Sequence, residues 1–272
     1  MAAIELGPLV LSTPRFVAIL GAVAFLVAAQ IRGRRDDSLT DWAWTGLILF
    51  ILGARLGFVI ENLSVYLQEP LTILFVWQGG FSPWWGFAVA AVYTVLWPAG
   101  RRAVISQQLS VAAVGGAVWG GSLLLLTPVA TADVSLPDTR IFTMANQETQ
   151  LAQIAGGQPI VVNLWAPWCP PCQRETPMML DVAGSEDSVT FALVDQGSAV
   201  SEVVEFLEER GLQLEDVYLD PRTAVADELR SIGLPTTLFF GSQGELQHTH
   251  VGEISRAELL RHVRSLSQPQ PR

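Results

Sequence analysis

The sequence predicts an α-helical membrane bundle of about four spans, residues 1–132, followed by an α/β domain, residues 133–272. Half of the 272 residues are hydrophobic and only 15% are charged, whereas soluble chains carry about 25% charged residues. Long apolar runs fill the first half, while strand-like and helix-like segments alternate in the second. The charge composition changes at the same boundary, because residues 133–272 are strongly acidic, with nine Arg against 20 acidic residues.

That acidic second half excludes nucleic-acid binding as a main function, because it repels phosphate backbones. The chain contains two cysteines, Cys169 and Cys172. One such pair cannot staple a fold and cannot supply the four ligands of a structural zinc site. We therefore expect the pair to perform chemistry, as a redox-active disulfide, without a metal or other cofactor.

The first half contains four apolar segments near the length of about 20 residues that crosses a bilayer. Residues 71–83 also lack charge but contain polar and turn-forming residues, which predicts a re-entrant or interfacial piece before the third span. In the last span, Gly116 and Gly120 form a small-xxx-small pair, and we expect it to pack inside the bundle rather than to dimerise. The predicted spans are residues 16–31, 42–60, 84–97 and 103–129.

Basic residues predict the orientation of this bundle. The loop between the second and third spans contains Glu61 and Glu69 but no basic residue. By the positive-inside rule, the arginine-bearing loops are cytoplasmic, and the acidic half faces the periplasm from a bacterial inner membrane. The arginines concerned are Arg32, Arg34 and Arg35 in one loop and Arg101 and Arg102 in the other.

Two features of this half keep alternatives open. Arg55 lies within the second span, where a charge indicates a functional site such as a lipid-headgroup contact, but its side chain could equally snorkel to the outer headgroups. The run A-T-A that ends at Ala132 has the form of a signal-peptidase site. We favour a small-residue linker there over cleavage.

Three runs in the first 100 residues resemble the front of prolipoprotein diacylglyceryl transferases: L-G-P-L at 6–9, G-A-R-L-G-F at 53–58 and G-G-F-S at 79–82. The family continues its last run with a histidine, and Trp84 stands there in this chain. Acyl transfer needs an acid or base and anion-holding groups near the lipid headgroup, which Arg55 alone cannot supply. The resemblance therefore implies a degenerate relative that serves as an anchor.

The second half reads as alternating strands and helices. We predict strands at 160–165, 189–194 and 217–219, and a closing hairpin of strands 236–240 and 245–251. Helices are predicted from 169 to about 182, from 198 to 211 and over 224–231. A capping box of Ser255 and Glu258 starts the last helix. Together these elements predict an α/β sandwich around a mixed sheet.

Cys169 falls at the junction of the first of these strands and the helix that follows it. Unpaired N–H groups and the helix dipole favour a thiolate at that point. Cys172 lies one turn further in, so we expect Cys169 to attack a partner's disulfide and Cys172 to resolve the mixed disulfide. Pro170 and Pro171 have no N–H, and neither His nor Arg separates the cysteines. Both facts favour a reducing pair over a strongly oxidising one.

This half resembles the TlpA/ResA-like thiol–disulfide oxidoreductases of the thioredoxin superfamily, over about 130 residues. The matching runs are N-L-W-A-P-W-C-P-P-C at 163–172 with Glu175 and Pro177, Y-L-D-P at 218–221 and G-L-P-T-T-L-F at 233–239. The resemblance implies a thioredoxin fold. It also implies that Pro235 is a cis-proline facing the cysteines and that the backbone of Leu234 receives the substrate strand.

The remaining site residues follow from the same motifs. Trp165 and Trp168 flank the pair, Trp168 as a candidate substrate contact, and Pro177 kinks the helix unless the helix ends there. Asn163 stands where thioredoxin has a buried aspartate that moves the second cysteine's proton. We assign that task to Glu175, with a solvated carboxylate on the helix face as the alternative.

His248 and His250 share one face of a strand, which more often indicates a solvated face than a copper site.

The leading hypothesis is a membrane-tethered periplasmic reductase of protein disulfides. By resemblance, its substrates are apocytochrome c or copper-site cysteines. Because residues 1–132 contain no cysteine, a separate transmembrane donor of the DsbD/CcdA class must reduce the pair. The alternatives are a thiol oxidase or isomerase, a lipid-headgroup-binding or acyl-transfer protein with an accessory thioredoxin domain, and a non-catalytic binding module.

Overall fold

The computed structural model describes residues 3–6, 9–35, 37–97, 102–126, 134–231 and 233–267. Arg101 and the linker that ends at Ala132 lie outside these residues. The N-terminal half begins with a hairpin that the sequence analysis missed, β1 and β2, and continues with helices joined by short 3₁₀ turns. Its elements are β1 (Ala3–Leu6), β2 (Leu9–Ser12), α1 (Thr13–Arg32), α2 (Ser38–Glu61), α3 (Leu63–Tyr66), α4 (Pro83–Leu96) and α5 (Arg102–Leu126).

Three helices in the described part of this half are long and apolar enough to cross a membrane: Thr13–Arg32, Ser38–Glu61 and Ile105–Leu126. The fourth predicted span is the shorter α4, whose 14 residues reach only about 21 Å against a hydrocarbon core of about 30 Å. Before α4, 3₁₀ turns at Pro70–Leu74 and Val76–Gln78 occupy the stretch for which the sequence predicted an interfacial piece.

The bundle is built from two helix pairs, α1 with α5 and α2 with α4. Glycines allow the first pair to approach closely, because a Cβ on Gly115 would lie 2.8 Å from Phe25 Cβ and one on Gly21 would lie 2.8 Å from Trp119 Cβ. The expectation for Gly116 and Gly120 is wrong. A Cβ on either residue would meet no described atom within 4 Å, so neither packs inside the bundle.

The C-terminal half is a mixed sheet with helices on both faces, as predicted, but the sheet has seven strands, two more than the sequence analysis found. The strand order is β4-β3-β7-β6-β5-β8-β9, with β5, β6 and β7 parallel and β8 antiparallel to β5. The strands are β3 (Arg140–Thr143), β4 (Glu148–Gln150), β5 (Ile160–Trp165), β6 (Thr190–Gln196), β7 (Val217–Asp220), β8 (Thr236–Phe240) and β9 (Leu246–Val251). The helices are α6 (Leu151–Ala155), α7 (Pro170–Ala183), α8 (Val200–Glu209), α9 (Ala224–Glu228) and α10 (Arg256–Leu266).

The central strand β5 separates two hydrophobic cores. All six of its residues are buried, and because side chains alternate along a strand, Val161 and Trp165 enter one core while Val162 and Leu164 enter the other. The first core contains side chains of α7, α8 and α10, and the second contains side chains of α6 and α9. Because β5 is packed on both faces, the residues that follow it are held in a fixed position. The two cysteines are among these residues.

Candidate active site

The two cysteines lie where the central strand passes into a helix. β5 ends at Trp165 and Cys169 is the N-cap of α7. The Cys172 N–H donates to Cys169 Sγ over 3.4 Å, and the two sulfurs form a disulfide with the Cα atoms 5.2 Å apart. Cys169 is 3% exposed and Cys172 is fully buried. Both cysteines are thus buried, and Cys169 is the less buried of the two.

Pro235 lies at the same edge of the sheet as the cysteines. The Leu234–Pro235 peptide bond is cis, as the resemblance implies. In the antiparallel pair of β5 and β8, Leu164 is opposite Thr236, which sets Pro235 beside the end of β5. Leu234 is partly buried and packs against both cores.

Glu175 is a buried carboxyl group three residues after Cys172 and on the same side of α7. Asn163 Nδ2 donates to Glu175 Oε1 over 2.9 Å and to Thr237 Oγ1 over 3.0 Å, and the Ile254 N–H donates to Glu175 Oε2 over 2.9 Å. Burial raises the pKa of Glu175 to about 8, although these two donors act in the opposite direction. The alternative of a solvated carboxylate is wrong, because Glu175 is 2% exposed.

The two tryptophans beside the pair have different environments. Trp165 is fully buried, with its ring centroid 5.3 Å from that of Phe206 in α8, whereas Trp168 is 64% exposed. A groove of about 260 Å³ runs beside Trp168. Its walls come from Pro167, Trp168 and Gln173 near the cysteines and from Glu202, Glu205, Phe206, Glu209 and Arg210 of α8 and its end. Trp168 thus offers an apolar contact next to Cys169.

Pro177 lies inside α7, which continues to Ala183, so the alternative that the helix ends at this proline is wrong. Proline has no N–H and cannot donate to the carbonyl four residues earlier, which is that of Gln173. Gln173 also donates its side-chain amide to the carbonyl of Pro167 over 2.5 Å.

A loop that the sequence analysis did not single out touches both sides of the site. It comprises residues 252–255, between β9 and α10. The Gly252 N–H donates to the Pro235 carbonyl over 2.9 Å, and the Ile254 N–H donates to Glu175. Between them, the Glu253 carboxylate accepts from Arg174 over 2.6 Å. A glycine after a strand indicated only a turn, and no local pattern marks Glu253 as a neighbour of the site.

The shared face of His248 and His250 is only partly solvated, because His250 is buried and His248 is partly buried. The His248 ring stacks on that of His262 with centroids 3.7 Å apart, and His250 lies within hydrogen-bond distance of the Glu253 carbonyl. Burial lowers the pKa of His248 to about 3 and that of His250 to about 4. In the part of the chain that the structure describes, no group of three or more His, Cys, Asp or Glu residues could hold a metal ion.

Arg55 does not snorkel to the membrane surface. Its guanidinium is buried and uses all five N–H donors on backbone carbonyls: Nε and Nη2 on Ile73, Nη2 also on Thr72, and Nη1 on Gly79 and Gly80, at 2.7–3.1 Å. The residue therefore ties α2 to the 3₁₀ segment. No donor is left for a lipid phosphate, so the structure argues against the lipid-headgroup role.

The fold and the cysteine pair define a protein of the thioredoxin fold with a C-x-x-C disulfide at a helix N-terminus. Comparison with known protein families supports this fold and also the resemblance that the first half shows to a transferase family. Residues 130–249 match the model of the AhpC/TSA family, and residues 1–127 match that of prolipoprotein diacylglyceryl transferase. The second half of the chain is thus similar to AhpC/TSA-family proteins, and the first half is similar to prolipoprotein diacylglyceryl transferases.

Individual relatives divide between the two regions. The chain is 26% identical over 157 residues to thiol-disulfide oxidoreductase ResA of Geobacillus kaustophilus, covering 57% of this chain and 88% of that protein. It is 36% identical over 107 residues to the phosphatidylglycerol–prolipoprotein diacylglyceryl transferase of Rhodospirillum centenum, covering 35% of this chain and only 38% of that enzyme. The solved structure of MTB dsbF is 28% identical with a TM-score of 0.44, covering 47% of this chain and 95% of that one.

Proposed function

We propose that this chain is a membrane-anchored, periplasmic thiol–disulfide oxidoreductase that reduces disulfides of partner proteins through Cys169 and Cys172. The observation that carries the proposal is the disulfide at the N-terminus of α7, with Cys172 fully buried and a buried carboxyl group, Glu175, three residues further along the same helix. A disulfide that only stapled the fold would need neither the helix N-terminus nor a buried carboxyl group three residues away.

The reaction begins with the reduced pair. The Cys169 thiolate attacks one sulfur of a partner's disulfide, which forms a mixed disulfide and releases the partner's other sulfur as a thiolate. The Cys172 N–H, which points at Cys169 Sγ, and the N-terminal end of the helix stabilise negative charge on the attacking sulfur.

Cys172 then resolves the mixed disulfide. Its thiol gives a proton to the Glu175 carboxylate, and its sulfur attacks Cys169 Sγ, which releases the second partner thiolate. Two electrons pass to the partner, whose thiolates take up two protons, and the Cys169–Cys172 disulfide is formed. A carboxyl group with a pKa of about 8 is well matched to this task, because an ordinary thiol titrates near 8.5.

Trp168, Leu234 and Pro235 form the proposed contact surface for the partner. Trp168 presents an exposed ring next to Cys169. Pro235 precedes β8 at the sheet edge where the cysteines lie. A partner strand laid along this edge brings its disulfide to Cys169, the sulfur that is not fully buried.

We assign residues 1–132 to the anchor and residues 133–272 to the redox domain. Three apolar helices of spanning length support the anchor, and Ile48, Leu52, Leu56 and Ile60 form an exposed apolar stripe along α2, as a lipid-facing surface requires. Arg32 Nη1 donates to Ser110 Oγ, so the ends of α1 and α5 that carry basic residues lie together. The positive-inside rule makes this end cytoplasmic.

A separate transmembrane thiol protein of the DsbD/CcdA class is the proposed electron donor, because the proposed anchor has no cysteine with which to carry electrons across the bilayer. Periplasmic proteins that need reduced cysteines, such as apocytochrome c, are the proposed acceptors.

Two cysteine variants of the full chain test the proposal. Cys172→Ser should accumulate mixed disulfides with its partners, because the thiol that releases them is gone. Cys169→Ser should accumulate none. Non-reducing electrophoresis of membranes followed by mass spectrometry of the adducts makes the measurement, and a Cys172→Ser variant without adducts would refute the proposal.

The reduction potential of the full chain in lipid nanodiscs tests whether the protein reduces or oxidises its partners. Equilibration against glutathione or dithiothreitol should place the pair closer to thioredoxin, about −270 mV, than to DsbA, about −120 mV. A value near the DsbA end would make the protein an oxidant and overturn the reductase assignment.

A further inference from the structure

Glu253 is a buried carboxylate that receives donors from both halves of the molecule. Its residue is 6% exposed. From the redox half, Arg174 donates through Nη2 over 2.6 Å and through Nε over 3.0 Å to Oε2. From the N-terminal half, Gln78 Nε2 donates to Oε1 over 2.7 Å and Trp77 Nε1 donates to Oε2 over 3.3 Å.

A buried charge needs such donors, because an unpaired carboxylate in the interior costs several kcal/mol. Gln78 and Trp77 belong to the 3₁₀ turn just before α4, which Arg55 holds to α2 through the carbonyls of Gly79 and Gly80. The donors from the N-terminal half are therefore fixed by a structure of their own.

The contact between the halves extends beyond Glu253. Arg256 forms two ion pairs. Its Nε lies 3.4 Å from Glu69 Oε1 of the N-terminal half, and its Nη1 lies 2.6 Å from Asp181 Oδ2 of α7. Ala257 packs against Phe58 and Tyr66. The Glu253 loop therefore lies within a larger contact surface between the two halves.

We propose that Glu253 is a positioning residue for the redox site, and that the turn carrying Trp77 and Gln78 holds it in place. The two residues that flank Glu253 make the contacts to the site: the Gly252 N–H donates to the Pro235 carbonyl and the Ile254 N–H donates to Glu175 Oε2. Docking of the redox domain on the N-terminal half therefore sets the geometry around Cys172. This inference rests on the proposed function.

Loosening the loop should change the pKa of Glu175 in a predictable direction. The Ile254 N–H stabilises the carboxylate form of Glu175, so losing that bond raises the pKa of Glu175 further. The charged groups facing Glu175 are Arg174 on its own helix and Glu253 on the loop, while β5 and β8 present the neutral Asn163 and Thr237. The carboxylate that accepts the Cys172 proton then forms only at higher pH.

The test measures the resolving step in the reduced full chain in nanodiscs. An excess of an aromatic disulfide, dithionitrobenzoate, forms a mixed disulfide at Cys169, and attack by Cys172 releases a second coloured thiolate. Stopped-flow absorbance follows this second phase as a function of pH. The variants are Gln78→Leu and Trp77→Phe. The matched controls are Gln107→Leu, exposed on α5, and Trp84→Phe, which replaces a residue 81% exposed on α4.

Gln78→Leu and Trp77→Phe should move the inflection of the second phase upward by about half a pH unit, which is about a threefold slower rate on the rising limb. Both controls should overlay the unmodified chain. Hydrogen exchange should show faster exchange at residues 252–255 and unchanged protection in β5, which excludes global unfolding as the cause.

Coincident pH profiles for all four variants would overturn the inference and leave the proposed function intact. Failure of the unmodified chain to release any second thiolate would refute the proposed function itself. If either interface variant loses protection in β5, Gln78→Asn replaces it. That variant withdraws the side-chain amide from Glu253 by one methylene group and changes no charge near Glu175, so an unmoved inflection would again overturn the inference.

Discussion

Glu175 is the residue whose chemistry depends most on its surroundings. Nothing in its local sequence separates it from a solvated helix-face carboxylate, and its hydrogen-bond partners, Asn163 and Ile254, lie 12 and 79 positions away in sequence. Asn163 donates to Glu175 through its amide and does not compete with it for a proton. Of these two residues, only Glu175 can therefore exchange a proton with Cys172.

Replacing Glu175 by glutamine should slow the resolving step by about 100-fold at pH 8, because no group then takes the Cys172 proton. In the unmodified chain the rate should rise with pH to an inflection near 8, the pKa of this carboxyl group. Stopped-flow release of the second thiolate makes the comparison. Equal rates above pH 8 would assign the proton transfer to another group.

The same substitution should change stability in a pH-dependent way. The pKa of Glu175 is about 8 when folded and near 4.5 in an unfolded chain, so the native state binds the extra proton between these values. Stability of the unmodified chain should fall as pH rises from about 4.5 to about 8. Glu175→Gln should abolish this slope, because glutamine does not titrate.

Between pH 5 and pH 8.5 the stability of Glu175→Gln relative to the unmodified chain should rise by about 4 kcal/mol, since the interval covers nearly three pKa units of about 1.4 kcal/mol each. The Asn163 amide can rotate to present its oxygen, which accepts no hydrogen bond from any residue that the structure describes, to the new amide. Urea midpoints measured by pulse proteolysis of the full chain test this. Parallel pH profiles for both proteins would contradict it.

Among the elements, the 3₁₀ segment from Pro70 to Gln78 depends on a side chain from a different helix. Short 3₁₀ turns satisfy few of their own carbonyls, and Arg55 supplies five donors to this segment and the glycines after it. The sequence marked Arg55 as unusual for its place in a span, but only the structure gives the reason.

Arg55→Ala should leave the carbonyls of Ile73, Gly79 and Gly80 without a described donor and destabilise the segment by about 3 kcal/mol or more, while the Thr72 carbonyl keeps the Phe75 N–H. Arg55→Lys, with three donors, should restore part of the loss. Hydrogen exchange of residues 70–80 in nanodiscs is the measurement, with Arg34→Ala, an exposed arginine, as the control. Unchanged protection in Arg55→Ala, together with loss of labelled phosphatidylglycerol binding, would restore the headgroup interpretation.

The strongest elements could be predicted from local pattern. β5 and the beginning of α7 are fixed by an apolar run followed by the W-C-P-P-C motif, and α10 begins at Ser255, whose hydroxyl accepts from the Glu258 N–H as the capping motif predicts. The missed strands β3 and β4 are short and largely polar, with one fully buried residue between them, Ile141. β3 pairs with β7, a strand more than 70 positions later in the chain, and β4 pairs with β3.

For the whole molecule, the proposed topology predicts the response of two reporter fusions in a bacterial host. Alkaline phosphatase fused after the C-terminal helix should be active, because that end is periplasmic. The same enzyme inserted between α4 and α5 should be inactive, because the Arg-rich end of the bundle is cytoplasmic. The reverse pattern would invert the orientation and place the cysteine pair in the reducing cytoplasm.

The sequence by itself determined the apolar spans, the divided charge, the strand–helix alternation and the C-x-x-C pair, since each of these is a pattern of neighbouring residues. The tertiary structure alone decided that Glu175 is buried, that Arg55 is fully occupied and that Glu253 joins the two halves. Glu253 meets Arg174 across 79 positions and Gln78 across 175. The environment of a buried charge depends on donors from distant segments, and local sequence contains no record of which segments these are.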